Sequence, residues 1–447
     1  MTKPTRTNPD LSRRGALRLG ALGAAVAGAA PILAACDSTS AGGGGGGNGG
    51  GAGGGGGNDS TVRVWTWYQE QVDEWPRLKQ EFEAANDGIT VEIRTFGNAD
   101  QYLPALQAAV TAGDVPEIFG PHVRALEYGR NGISADLNAE LGAEFMADFF
   151  PSTNSAFQLD GAQYAVGWMA QTFGVFYNPD LMEAAGVQDE PETWDDLIAA
   201  AQLLRESGTT PMAFAASPAT SAGDLFLPML AQVTDDPEFY IRLDNLDGVT
   251  YEDPAVVEAL TLFKRLSDEG VFQDGAAATI GDQASQLFYT EGAAMFYSGS
   301  WNPQGFVQSA SPEFVDKYRI MRIPAYSPGA RHWTANQAGA ALGVAAESPA
   351  KEAALEFLRF IYQPDQYAQT MNNSNSMPST QSAAEQIENE EMQLMTQWLL
   401  DGDGVPHIPF GSGSAAALDP LTAVLEQGAT PEETATAMQR AVEQARG

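Results

Sequence analysis

Cysteine, histidine and basic side chains are all scarce in this chain of 447 residues. The single cysteine, Cys36, excludes an intrachain disulfide, so the fold must rest on its apolar core. The three histidines, His122, His332 and His407, sit at none of the spacings by which a helix presents metal ligands, and no HExxH or cysteine pair accompanies them. No metal and no cofactor are expected. Lys and Arg together number 23 against 58 Asp and Glu, a formal charge of −35. Nucleic acid is excluded as a partner, because its phosphates demand a basic face. The acidic surface reads as a solvated one that keeps the protein soluble. A phosphate loop, a GxSxG elbow and a dinucleotide fingerprint are also missing. Glycoside cleavage needs two placed carboxylates, and nothing among so many acids selects a pair, so the chain is read as a binding protein rather than an enzyme.

The first 60 residues stand apart. Arg13-Arg14 precedes an apolar run over 19–35 that is too short to remain as a membrane span. The run resembles a twin-arginine export signal, with Ala16 in place of the usual aromatic, which leaves the general secretory route open. Leu33-Ala34-Ala35-Cys36 resembles a bacterial lipoprotein cleavage box. A cysteine between a signal and a glycine tract has nothing to be buried in, so Cys36 is expected to carry lipid. Residues 42–57 are almost all glycine, a flexible tether with a mean reach of about 20 Å. Five basic residues and only Asp10 among acids lie in the leader, so its removal makes the protein more acidic still.

Beyond the tether the pattern is α/β. Thr61-Val-Arg-Val-Trp-Thr-Trp is a β-branched, aromatic strand. Trp75, Leu78, Phe82 and Ala85 keep helical spacing, and Ile89, Val91 and Ile93 alternate as a second strand. Such a βαβ unit builds a parallel sheet. The helix over 101–112 leads through Gly113-Asp114-Val115-Pro116 to a short buried strand at 117–119. In 161–197, two short apolar runs, at 164–170 and 172–177, meet without a turn and read as one extended crossing. Asn178-Pro179 starts a short helix stopped by Gly186. Thr193 caps another, with Trp194, Leu197, Ile198, Ala201 and Leu204 as its apolar stripe. Later helices are expected from Pro254, and from Pro349 with Ser348 as cap. No internal repeat is visible.

Several of these stretches resemble one family, the extracellular solute-binding proteins of ABC importers, in the group that includes the maltose-binding protein. The resemblance rests on Asp160-Gly161-Ala162-Gln163-Tyr164, Tyr177-Asn178-Pro179-Asp180-Leu181 and Pro191-Glu192-Thr193-Trp194-Asp195-Asp196-Leu197, in that order at family-like spacing. Ala112-Gly113-Asp114-Val115-Pro116-Glu117-Ile118, Gly292-Ala293-Ala294-Met295, Ser298-Gly299-Ser300-Trp301 and Lys351-Glu352-Ala353-Ala354-Leu355-Glu356-Phe357-Leu358 extend it. It implies a two-lobed periplasmic-binding-protein-like fold, each lobe a mostly parallel sheet flanked by helices, with a hinge and an interlobe cleft. The expected division is a signal over 1–35, a lipid-anchored linker over 36–60, one lobe from 61–170 plus 335–370, and the other from 171–334 plus 371–447. It also implies a monomer, exported and held at the outer face of the cell membrane, that delivers a small carbohydrate to permease subunits.

Ligands in open α/β sheets sit beyond the carboxyl ends of the strands, which points to Trp67, Tyr68 and Gln69 after the first strand and His122 after the third. Sugars present apolar faces and hydroxyl rims, so aromatic platforms and fixed polar groups are sought together. Trp168, Trp301 and Trp333 fall near places that the family uses for its cleft, whereas Trp75, Trp194 and Trp398 read as core. Gln171, Asp224, Asn302 and Asn375 are the polar candidates, and Phe410 completes the set. A polyamine or peptide ligand, a role in feeding a membrane sensor, and glycan cleavage are the competing readings.

Overall fold

The computed structural model of the protein describes residues 60–336, 340–405, 413–425 and 428–446. Cys36, the leader and the tether therefore lie outside the described residues, as do His407 and Phe410.

Two sheets organise these residues. In the first, β1 (Ser60–Thr66) and β2 (Ile89–Thr95) pair in parallel, joined through the helix Glu74–Ala85, which buries Trp75, Leu78 and Phe82. Val62 and Val64 alternate into the core, as a strand with one helix-covered face requires. β3 (Ile118–Phe119) lies parallel on the other side of β1. The turn before it follows from charge: Arg63 donates from Nε to Glu117 at 2.9 Å and from Nη1 to Asp114 at 2.7 Å. Burial alone would raise the Glu117 carboxyl, but Arg63 and its backbone N–H outweigh that and hold it below the ordinary range.

The chain leaves this sheet through β4 (Val166–Gly167) and enters the second as β5 (Phe173–Tyr177). There β6 (Thr210–Ala213), β7 (Ala293–Gly299) and β8 (Arg319–Met321) complete the order β8-β5-β7-β6. β9 (Ala341–Val344) returns to the first sheet, whose order is β2-β1-β3-β9-β4. The two-lobed α/β class is thus as expected, but strand directions are more mixed than a mostly parallel lobe. β9 runs antiparallel to both neighbours, β5 runs antiparallel to β7 and β8, and only β6 and β7 are parallel in the second sheet. A strand arriving from the opposite lobe enters its sheet from the cleft side, which reverses its direction.

The crossings lie side by side. Trp168 N–H donates to Ala340 at 2.8 Å, Ala170 N–H to Met377 at 3.1 Å, and Thr172 Oγ1 to the Ala335 carbonyl at 2.9 Å. Residues 168–172 are thereby stitched to Ala335 and Ala340 on one side and to Met377 on the other. The backbone N–H groups of Trp168 and Ala170 are paired within the protein and do not need solvent.

Local signals hold where the cap is local. Asn178 accepts from the N–H groups of Asp180 and Leu181 and starts Pro179–Ala184. Thr193 and Asp196 form a reciprocal capping box on Trp194–Glu206. Pro254–Asp268 starts as expected. The helix expected from Pro349 begins instead at Lys351, because Ser348 Oγ is engaged in a turn, accepting from Ala350 N–H and donating to Glu117. Trp75, Trp194 and Trp398 are buried as expected. Among the described residues no helix is long and apolar enough to cross a membrane.

Candidate functional site

The first wall of the cleft grows from the carboxyl end of β1. Once the strand stops at Thr66, Trp67 and Tyr68 lead into a short turn, Gln69–Gln71. The half-buried Trp67 ring is held by Tyr68 and Tyr102, at 4.6 and 4.5 Å between centroids, and edge-on by His122 at 5.2 Å. Gly120, just past β3, makes this possible: a Cβ there would lie 2.7 Å from the Trp67 ring. Burial, and then the nearby Arg124, push the His122 imidazole down to about 4, so it is neutral at physiological pH. Trp67, Gln69, His122 and Gln171 line a recess of about 270 Å³.

The second wall grows from the end of β7. Trp301 stands edge-on to Phe173 at 5.1 Å, and Phe173 stacks on Tyr297 at 5.6 Å. Asn302 opens the helix Asn302–Ser309 and donates to Ser298 Oγ at 2.7 Å and to the Gly299 carbonyl at 3.0 Å, tying that helix to its strand. Tyr297 Oη donates to the backbone carbonyl of Asp224 at 2.6 Å. These groups, with Ser221, Asp282 and Ser298, line a cavity of about 550 Å³. Gln69 and Glu70 line both this cavity and the first recess, so the two adjoin along these residues. Burial pushes the Asp224 carboxyl up to about 8 and raises that of Glu70 as well.

Gly299 sets the place of Trp301, since a Cβ on it would fall 2.1 Å from the indole. Gly299→Ala is expected to turn the indole out of the cavity. Ligand affinity should fall about tenfold or more, with a stability loss of about 1–3 kcal/mol typical of overpacking. Calorimetry and denaturant melts separate the two effects.

The structure places Trp67, Gln69, His122, Gln171, Asp224, Trp301 and Asn302 around the two adjoining recesses. Tyr68 borders the first recess but is 3% exposed, and its hydroxyl is committed to β9, donating to the Ala341 carbonyl and accepting from Ala341 N–H. Trp168 corrects the sequence reading. It is 0% exposed, stacked on Trp75 at 5.1 Å, and donates Nε1–H to Gln71, so it belongs to the core. Trp333 is a second correction: it is 5% exposed in the second-lobe core under the Arg331 guanidinium and lines neither recess. Asn375 lines neither recess but reaches the cleft wall indirectly, donating to Gln304 Oε1 at 3.3 Å. Phe410 lies outside the described residues. Sequence reasoning missed Glu70, Phe173 and Tyr297; Glu70 follows Gln69, so the strand-end rule carried one residue further would have found it. Among the described residues no group of His, Cys, Asp and Glu is arranged to hold a metal.

A fold of two sheets with a walled cleft between them, entered from strand ends and furnished with rings and hydroxyl partners, defines a solute-binding class. Residues 66–368 match the family described as bacterial extracellular solute-binding protein, and the chain belongs to that family. A Brucella abortus chain named as a binding protein is 26% identical over 338 residues, which cover 74% of this chain and 79% of the relative. An sn-glycerol-3-phosphate-binding periplasmic protein of Shigella dysenteriae is 24% identical over 327 residues, 68% of this chain and 71% of the relative. Among solved structures, a chitin oligosaccharide binding protein superposes with a TM-score of 0.72 at 20% identity, covering 87% of this chain and 99% of the other. The raffinose complex of RafE superposes at 0.70 with 18% identity, covering 87% and 100%.

Proposed function

We propose that this protein captures a carbohydrate outside the cell and presents it to the permease of an ABC importer. The observation that carries the reading is the ring set Trp301, Phe173 and Tyr297, which lines a cavity with Gln69 beside the recess that holds Trp67. Rings on two walls sandwich the C–H faces of a sugar, and the amide, hydroxyl and carboxyl groups between them take its hydroxyls. The chitin oligosaccharide and raffinose binding of the structural neighbours supports the same class. In this reading the lobes are 61–170 plus 335–370 and 171–334 plus 371–447, and they close around ligand because the closed form contacts it from both sides. The protein acts as a monomer, lipid-anchored through Cys36 at the outer face of the membrane and floating on the glycine tether. The test is small-angle scattering with and without a bound saccharide. A smaller radius of gyration in the complex is expected, and an unchanged one would refute closure.

Binding should also depend on pH. Glu70, Asp282, Tyr289 and Tyr297 share the cavity with Asp224, and among the described residues no lysine, arginine or histidine lines it. The Asp224 carboxyl, raised to about 8, is mostly protonated in the free protein at neutral pH. Ligand hydroxyls that donate to it favour its ionised form, so its bound pKa lies below its free pKa and binding releases a proton. Affinity is then expected to rise with pH, by at most about tenfold per unit, and to level off above about 8. Calorimetry in buffers of different ionisation enthalpy reads the released proton directly.

A further inference from the structure

We infer that the ligand is an amine-bearing saccharide, whose positive group is held in the larger cavity, which Glu70 and Asp224 both line. This rests on the carbohydrate reading above and specifies its ligand.

Among the described residues, the larger cavity is lined by three carboxyl side chains, Glu70, Asp224 and Asp282, and by no basic residue. The smaller recess adds only the neutral His122. Elsewhere in the molecule, basic groups neutralise acids: Arg63 holds Asp114 and Glu117, Arg322 holds Asp401 and Asp403, and Lys351 holds Glu140. Nothing comparable serves the cleft. Among the described residues no side chain hydrogen-bonds or ion-pairs with the Glu70 or Asp224 carboxyl. Burial raises both, offset for Glu70 only by its own backbone N–H.

Carboxyls recessed in a cavity without protein donors are left for the ligand to satisfy. Hydroxyl donors do so in part. An ammonium supplies both donors and the missing charge, and it also suits the electron-rich face of Trp301 alongside. An ammonium favours the ionised form of both carboxyls, which burial disfavours while the cleft is empty. The same lining offers nothing to a phosphate, which needs arginine, lysine or a row of N–H donors. This chain therefore departs in ligand charge from its relative named for sn-glycerol-3-phosphate.

The experiment is calorimetry with thermal shift on the full chain at pH 7, using matched pairs. Chitosan oligosaccharides are compared with chitin oligosaccharides of equal length, and glucosamine with glucose, with glucose 6-phosphate and spermidine as further probes. The amine member of a pair should bind about tenfold or more tighter than its neutral counterpart, with a preference that shrinks as salt is added. Asp224→Asn and Glu70→Gln should each reduce that preference to near unity, and the unliganded melting temperature of each variant shows that it is folded. Equal or tighter binding of the neutral member, or binding of the phosphate, overturns the inference while leaving the carbohydrate reading intact. Spermidine binding without any saccharide overturns both. Failure of every probe overturns the inference.

Discussion

Trp301→Ala is expected to weaken saccharide binding about a hundredfold, in line with removal of an aromatic anchor at the centre of a buried contact. The indole is only partly buried, meets Phe173 edge-on and lies over Gly299, so its remaining surface faces the cavity. The fold should tolerate its loss far better than the ligand does. The helix behind it is held by Asn302 through Ser298 and Gly299, and none of those bonds uses the indole. Calorimetry on the variant, paired with a denaturant melt, checks this. A large loss of stability with little change in affinity would return Trp301 to the core.

Trp168→Ala should give the opposite pattern. This side chain stacks on Trp75, meets Tyr362 edge-on at 5.6 Å and satisfies Gln71, which also donates to Ser376 at 2.8 Å. Truncation leaves a cavity at the waist, where the chain passes between lobes, and removes the donor to the Gln71 carbonyl oxygen. The expected cost is about 3–5 kcal/mol of unfolding free energy. Trp168→Phe should recover part of it. Stability near wild type, with saccharide binding abolished, would contradict the core placement.

These two tryptophans also show what could be read from the chain. Both follow strands and both fall in stretches that resemble the family, so position alone ranks them together. Period-two alternation separates them: Met169 and Gln171 line the recess, while Trp168 and Ala170, one residue out of phase, are buried. Taking Gln171 as cleft-facing therefore places Trp168 on the opposite side of an extended segment. Trp67 was legible because the strand-end rule is geometric and β1 is long and clearly bounded. Helix starts at Asn178 and Thr193 were legible because their caps close within three residues. The start at Lys351 was not, since Ser348 is drawn away by Glu117, which is remote in sequence. Strand direction in the second sheet was likewise hidden, because it depends on where a crossing enters and not on the residues of the strand.

The most direct test of the central claim is a thermal-shift screen of the full chain against mono- and oligosaccharides, polyamines and peptides. A saccharide at a hundred times its dissociation constant adds about 2.7 kcal/mol to folding stability, which appears as a rise of several degrees in Tm. At least one saccharide is predicted to give that rise in the wild-type protein, and Trp301→Ala should lose it at the same concentration. A rise produced only by a peptide or a linear polyamine, with every saccharide silent, would contradict the account.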